Sequence, residues 1–391
     1  MVFGDLAPIN ITGIKTNRSE NNREITSNLY EGQVNDRNPE SIDLSRQLET
    51  KDNHKKISRR EVIKQGGLAL SFFALPFPLT SFLNFNEMTD NKNFDVIIIG
   101  GSYSGLSVAM TLGRALRNVL IIDSGLPCNR QTPHSHNFLT QDGEKPSVIG
   151  EKAKEQVLKY DTVKFLTDLA VNAKKNDNGF EISTQSGKTF SVGKLVFATG
   201  LKDKMLNIKG FSECWGITVL HCPYCHGYEV KNEKTGILAN GYGAFHLSRL
   251  INNWTEDLTI FTNGKSELTQ EQTDEIKRHN ISIVEKEIAS LKHKDGVVEE
   301  IVFSDNSTFQ LEAIYSRPPF EQHCKIPELL GCELTEQGLI KVDAFQKTTV
   351  DNIFACGDNT NPLRAVSYAV STGNNTGVYL NNVLVEEDFL K

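Results

Sequence analysis

The sequence predicts an α/β fold made of two similar strand–turn–helix units, the second inserted before the first is complete. Three observations predict it. A buried-strand run, Phe94-Asp95-Val96-Ile97-Ile98-Ile99, leads directly into a glycine-rich turn and a helix of small residues. A second strand, turn and helix of the same kind begins at Thr235. Far downstream, Asn352-Ile353-Phe354-Ala355-Cys356-Gly357-Asp358 reads as one more buried strand, placed to finish the first unit.

Bulk properties narrow the class. At 391 residues and 38% apolar content, the chain can hold two domains of ordinary size and a sizeable core. A net charge of −7 gives no reason to expect nucleic acid or an anionic membrane as partner. No stretch is long and apolar enough to span a bilayer. Seven irregularly spaced cysteines do not make a disulfide-stapled scaffold.

In chain order, residues 1–57 are polar and hold two aromatics, Phe3 and Tyr30, too little apolar surface to offset the entropy of ordering. A disordered leader is expected there. Residues 58–82 change character: Ser58-Arg59-Arg60-Glu61-Val62-Ile63-Lys64 precedes Gly66-Gly67 and an apolar run from Leu68 to Leu79. Paired arginines before a short apolar run are the pattern of a twin-arginine export signal, which carries folded proteins and implies a periplasmic location. The competing expectation is a cytoplasmic protein starting at Met88, because the arginine pair lies deep in the chain and no A-x-A site follows. Residues 83–93 read as a linker, 94–212 as the first part of the first unit, 213–318 as the insert and 319–391 as the returning part.

Within the first unit, the helix after the turn is expected to reach about Arg117. The next strand spans Asn118 to Asp123, residues 151–175 hold a helix and a strand, and 180–199 hold strands ending in Ala198-Thr199-Gly200. The turn itself is Gly100-Gly101-Ser102-Tyr103-Ser104-Gly105. Following a strand and opening a helix, it meets the dinucleotide fingerprint, in which Gly100 makes the tight turn and Gly105 lets helix and strand pack closely. Ser102 stands at the second glycine position and faces the expected pyrophosphate, which sits against the helix N-terminus. Asp123 ends the next strand 18 residues after Gly105 (123 − 105), close to the interval at which a carboxylate meets ribose hydroxyls. Beyond it, the polar stretch Pro127-Cys128-Asn129-Arg130 and Thr132-Pro133-His134-Ser135-His136-Asn137 is either a cofactor loop or a surface loop.

The insert carries Cys222-Pro223-Tyr224-Cys225, two thiols spaced to close a small disulfide. Structural zinc uses the same spacing but needs a second ligand pair. No second CxxC exists, which leaves only scattered residues such as His221, His226 and Cys214 for that alternative. Lying between two glycine-rich turns, the pair reads as a redox dithiol beside a nucleotide cofactor.

Together these motifs, in this order, resemble the low-molecular-weight thioredoxin reductases over residues 94 to about 388. That resemblance implies a thioredoxin reductase-like fold of two Rossmann-like domains. FAD is expected in the discontinuous domain, and NADPH in the inserted NAD(P)-like domain that also holds the dithiol. It implies FAD contacts at Gly100, Ser102, Gly105, Asp123, Thr199, Gly200, Gly357 and Asp358, with Asn129, Arg130 and Asn137 as further ligands. The segment Arg364-Ala365-Val366 is expected beside the isoalloxazine, although Ala365 stands where the reductases usually have glutamine. Cys225 is expected nearest the flavin and Cys222 is expected to exchange with substrate. The reductases typically place an aspartate after the second cysteine. Here His221 and His226 flank the pair, a pattern closer to dithiol oxidases that close disulfides in small natural products. A protonated His226 or His221 would favour the thiolate, and His226 is the expected acid/base.

The second turn, Ala239-Asn240-Gly241-Tyr242-Gly243-Ala244, is degenerate, with Ala239 replacing the first glycine. The strand after it ends in Thr262-Asn263-Gly264-Lys265, with neither an arginine cluster for a 2′-phosphate nor a carboxylate for a free ribose. The sequence therefore leads first to an FAD-dependent thiol–disulfide oxidoreductase drawing on NAD(P)H, with a thioredoxin-like protein or small molecule as thiol or disulfide substrate. The alternatives are an oxygen-dependent dithiol oxidase and a flavin-binding module without turnover. The resemblance also implies a homodimer. No metal is expected.

Overall fold

In the computed structural model, residues 94–391 are described. The expected leader, signal-like segment and linker lie outside them. Strand β1 (Phe94–Ile99) is apolar along most of its length because it is covered on both faces. Helix α1 (Tyr103–Arg114) stops three residues short of the expected Arg117, since Leu116 turns left-handed at φ 62°. Next come β2 (Val119–Asp123), α2 (Pro146–Val157), β3 (Val163–Thr167), β4 (Ala170–Asn176), β5 (Gly179–Thr184) and β6 (Thr189–Phe197). Helix α2 starts earlier than the expected 151 because Pro146 is pre-set for the first helical position.

A short strand, β7 (Leu201–Asp203), leads into the insert: α3 (Phe211–Cys214), β8 (Val219–Leu220), α4 (Pro223–His226), β9 (Thr235–Leu238), α5 (Gly241–Ile251), β10 (Leu258–Phe261), α6 (Gln270–Arg278) and β11 (Ser282–Val284). It closes with β12 (Ile288–Lys294), β13 (Val297–Phe303), β14 (Thr308–Gln310) and β15 (Ala313–Ser316). The chain returns through β16 (Phe320–Gln322), α7 (Ile326–Leu329), β17 (Ile353–Ala355) and α8 (Val366–Phe389).

A seven-stranded sheet runs β3-β2-β1-β6-β5-β4, and β17 pairs in parallel with the second half of β6. Its last parallel strand thus arrives more than 150 residues after its partner, with the whole insert between them. A separate parallel sheet runs β11-β10-β9-β15-β8. The two connections between the sheets pair with each other as an antiparallel ribbon, β7 with β16.

Each sheet buries both faces. Val96, Ile98, Ile121 and Val196 pack under α1 and α8, while Ile97, Ile99, Phe197 and Ile353 face Phe180, Ile326 and Ile340. The insert repeats the scheme with Phe261, Val219 and Ile314 on one side and Ile237, Ile260 and Tyr315 on the other. Helix α8 approaches α1 closely because it presents glycines there: a Cβ on Gly373 would lie 2.2 Å from Ser104 O, and one on Gly377 would lie 2.7 Å from Thr111 Cβ. That crossing brings the N-terminus of α8 beside the first glycine turn.

Candidate active site

The first turn is shaped by backbone contacts that exclude side chains. Gly100 sits at φ 105°, where a Cβ would lie 2.2 Å from Ala198 O. A Cβ on Gly105 would lie 1.9 Å from Gly100 O, so α1 can leave the strand only with glycine there. Ser102 is the N-cap of α1 but its side chain makes no capping bond, which leaves the helix's leading N–H groups free for an anion. Asp123 Oδ1 accepts from Gly101 N at 2.7 Å and Oδ2 from Gly125 N at 2.9 Å. The carboxylate therefore braces the turn as well as facing the place expected of a ribose.

The returning strand docks on this turn. Gly357 lies so close to α1 that a Cβ would meet Ser104 Oγ at 2.6 Å, and its N–H donates to Thr372 Oγ1 at 3.1 Å. Asn359 is fully buried and donates to Phe197 O at 2.9 Å and Thr199 Oγ1 at 3.3 Å, while its Oδ1 has no partner. An unpartnered buried acceptor between Thr199-Gly200 and Gly357-Asp358 suits a site completed by a ligand with donors. An uncapped helix N-terminus, a glycine cradle and this orphaned oxygen fit the diphosphate and polyol of FAD.

At the other end of the site, Arg364 makes a two-point pair with Asp203, Nη1–Oδ1 2.6 Å and Nη2–Oδ2 2.9 Å, and its Nε lies 3.8 Å from Asp358 Oδ2. Burial pushes the Asp358 carboxyl up to about 6 although Arg364 opposes the shift. Ala365 caps α8 without a side-chain bond, so this helix also points free N–H groups outward.

The dithiol comes from the second sheet. Strand β8 ends at Leu220, His221 and Cys222 follow, and Pro223 opens the single turn of α4. Cys222 and Cys225 form a disulfide with Cα atoms 5.3 Å apart. Gly227 holds the end of this turn against Trp254, where a Cβ would meet the indole Nε1 at 2.8 Å. Cys214, the extra ligand of the zinc alternative, lies in the apolar core of the insert with Phe211 and Trp215.

One cleft of about 130 Å³ joins the two halves. The first unit lines it with Cys128, Asn129, Asn137, Asp358, Arg364, Ala365 and Val366; the insert lines it with His221, Cys222, Cys225 and His226. The dithiol therefore opens onto the segment expected beside the isoalloxazine. Arg130 does not line the cleft: it is exposed, and Nη1 donates to Pro127 O at 3.1 Å within its own turn. Asn129 Nδ2 reaches Tyr103 OH at 3.4 Å. Asn137 holds φ 59° with its N–H bonded to Asp142 Oδ1. Cys128 lines the cleft and is exposed; the protein around it and the Asp358 charge push its thiol up, with Arg364 opposing.

The histidines depart from expectation. Burial first, then the Arg364 charge, drive the His221 ring down to about 3. His226 is lowered by burial, with Glu229 opposing and His136 adding. Both environments oppose the positive charge expected beside the thiols.

Asp358 and His221 place opposite demands on pH. The raised Asp358 carboxyl contributes stability that is present below its ordinary range and is lost as pH rises through about 6. The depressed His221 contributes stability that is present above its ordinary value and is lost as pH falls toward about 3. Relative to wild type, urea midpoints of Asp358→Asn should climb with pH between roughly 4 and 6, and those of His221→Gln should fall. Parallel profiles in all three proteins would contradict these environments.

The second turn is built differently from the first. Asn240 Oδ1 accepts from Gly241 N at 2.8 Å and Glu267 N at 2.9 Å, and Nδ2 donates to Lys265 O at 2.9 Å. The leading N–H of α5 is thus used by the protein itself. The Glu267 carboxylate stands over the turn, with Oε2 3.5 Å from where a Gly241 Cβ would be. A carboxylate there stabilises the helix end and repels a diphosphate. These residues do not fit a nicotinamide dinucleotide.

Sequence reasoning missed Asp203, Asn359, Glu267 and the cleft position of His136. Asp203 and Glu267 lie in no motif and are brought in by distant contacts, while Asn359 and His136 lie next to or within stretches that were singled out for other residues.

Residues 94–373 match the pyridine nucleotide-disulphide oxidoreductase family. The thioredoxin reductase tcpT of Claviceps purpurea is 31% identical over 314 residues, covering 77% of this chain and 97% of the relative. The thioredoxin reductase aclD of Aspergillus oryzae is 32% identical over 299 residues, covering 72% and 93%. Among solved structures, an oxidoreductase from Agrobacterium tumefaciens superposes with a TM-score of 0.70 at 35% identity, covering 75% of this chain and 99% of that one.

Proposed function

The chain belongs to the pyridine nucleotide-disulphide oxidoreductases, is thioredoxin reductase-like and acts on disulfides, and from that premise we propose that it is an FAD-dependent dithiol oxidase. In this reading Cys222–Cys225 takes two electrons from a thiol substrate, and oxygen is the final acceptor. The observation that carries it is the second turn, where the Asn240 side chain takes the leading N–H of α5 and the Glu267 carboxylate stands beside Gly241, an arrangement unfavourable to a dinucleotide's diphosphate. Bound FAD would supply a two-electron acceptor beside the dithiol and the place where oxygen is reduced.

The chain's own residues do the rest. The Gly100–Gly105 turn and the free N–H groups of α1 would hold the diphosphate, and Asp358 with Asn359 would hold the polyol. Arg364 is kept in place by Asp203, so its charge and the N-terminus of α8 favour negative charge developing in the cleft. Cys222 would receive the substrate sulfur and Cys225 would leave as thiolate, as the family resemblance implies.

NADPH and NADH are expected to show no saturable binding up to about millimolar concentration, which corresponds to only about 4 kcal/mol of affinity. Titration by tryptophan quenching or calorimetry checks this. A micromolar NADPH complex would favour the second reading, a reductase passing nicotinamide electrons to a thioredoxin-like protein. The names of the fungal relatives speak for that one. Export by the twin-arginine route belongs to the proposal too. Arg59→Lys with Arg60→Lys should hold the protein in the cytoplasm on cell fractionation.

A further inference from the structure

We propose that His136, on the loop after β2, is the base that deprotonates the thiol attacking Cys222, with Glu229 and Asp142 fixing its ring. The inference rests on the thiol–disulfide reading above and adds the proton acceptor that this reading lacks.

His136 lines the same cleft as Cys222 and Cys225. Its Nδ1 lies 3.5 Å from Glu229 Oε1 and 3.8 Å from Asp142 Oδ1. Two carboxylates near one ring nitrogen favour the tautomer with its proton on Nδ1, and in the proposal this leaves Nε2 as the acceptor. Both distances are long for hydrogen bonds, as is common in a site before substrate closes it. The loop itself is pinned. Ser135 N donates to Glu144 O at 2.8 Å and Gly143 N to Ser135 O at 2.9 Å, while Asn137 N bonds Asp142 Oδ1 at 2.7 Å.

Groups facing His136 come from both halves. Glu229 and His226 approach from the dithiol segment, the His226 ring 6.5 Å away edge to face. Asp142 and His134 share its own loop, the His134 ring at 6.4 Å. His221, Cys128 and the Asp358–Arg364–Asp203 group line other parts of the cleft. Among the three cleft histidines, only His136 has carboxylates on a ring nitrogen. His226 also lines the cleft but has no carboxylate within 4 Å of a ring nitrogen, and burial depresses the basicity of His221.

The step balances as follows. The substrate S–H gives its proton to His136 Nε2 while its sulfur bonds to Cys222 Sγ. The Cys222–Cys225 bond breaks and its electron pair leaves on Cys225. The substrate's second thiol, deprotonated by the same ring after it has passed the first proton to solvent, attacks the bridged substrate sulfur and expels Cys222. One substrate disulfide forms and two electrons enter the protein dithiol.

The test follows reduction of the Cys222–Cys225 disulfide by dithiothreitol under anaerobic conditions, with acid quench, alkylation and peptide mass analysis of the full chain. His136→Gln should slow the exchange about 10²-fold or more at pH 7. The gap should close at higher pH as the reagent ionises unaided. Glu229→Gln should give a smaller loss with an altered pH profile. His134→Gln, bonded to Gly143 O and outside the cleft lining, should stay within about two-fold of wild type. A wild-type rate in His136→Gln, or a loss of equal size at every pH, overturns the assignment. Failure of dithiothreitol to reduce the disulfide in the wild-type protein would overturn the thiol–disulfide reading along with it.

Discussion

Replacing Cys225 by serine should lower turnover with a dithiol by roughly 10³-fold or more, and Cys222→Ser should do the same. The two sulfurs form one bond, so the double variant should lose no more than either single one. The pair should nevertheless differ in what they trap. Cys225→Ser keeps the sulfur that meets substrate, so when it is given the substrate in its disulfide form, the Cys222 thiolate should open that disulfide and a mixed disulfide on Cys222 should accumulate, adding the substrate's mass to that peptide. Cys222→Ser should form no such adduct. An adduct on Cys225 in the second variant would reverse the assignment of roles, and near-normal turnover in either would remove the dithiol from the reaction. The disulfide opens onto the cleft beside Asp358, Arg364 and Ala365. Cys128 shares the cleft, but its raised thiol is a poor nucleophile at neutral pH.

Gly100→Ala should be the most damaging change away from the sulfurs. At φ 105° an alanine is strained, which costs about 1–3 kcal/mol. Its methyl would also lie 2.2 Å from Ala198 O, an overlap that backbone must move to relieve at about 1–3 kcal/mol more. A combined loss of roughly 2–6 kcal/mol follows, readable as a lower urea midpoint. The same shift moves Ala198-Thr199-Gly200, so retained flavin should fall with it. Gly243→Ala, in the second turn, meets nothing within 4 Å and serves as the contrast: its midpoint should hardly change. A stable, yellow Gly100→Ala protein would contradict the account of the first turn.

The sequence carried the parts of the fold that depend on local pattern. The strand β1, apolar at five of its six residues, the glycines at 100 and 105, and the strand ending at Gly357-Asp358 are legible because a both-sides-buried strand and a close helix–strand approach leave few residue choices. Strand β17 could be assigned to the first unit from its order alone, and its pairing with β6 is the physical form of that return. The start of α2 at Pro146 and the early end of α1 at Arg114, before the left-handed Leu116, depended on single backbone conformations within ambiguous patterns.

The candidate site was legible in its cysteines and glycines and opaque in its charges. Spacing does not reveal that Asp203 holds Arg364 from 161 residues away, or that Glu267 stands over Gly241. Nor does it reveal burial, and burial decides the histidines. Next to a CxxC, His221 reads as a cation, and only the enclosed cleft makes it neutral. His136 lay in a stretch read as either a cofactor loop or a surface loop, and Glu229, near its ring, is 93 positions along the chain (229 − 136).

The central claim is that electrons enter through the thiol substrate and not through a nicotinamide. Mixing the flavin-loaded protein anaerobically with dithiothreitol, NADPH or NADH, each alone, tests it most directly by the loss of the flavin's visible absorbance. The account predicts bleaching by the dithiol only, with colour and peroxide returning together when air is admitted. Rapid bleaching by NADPH, with a dithiol that leaves the flavin oxidised, would contradict it.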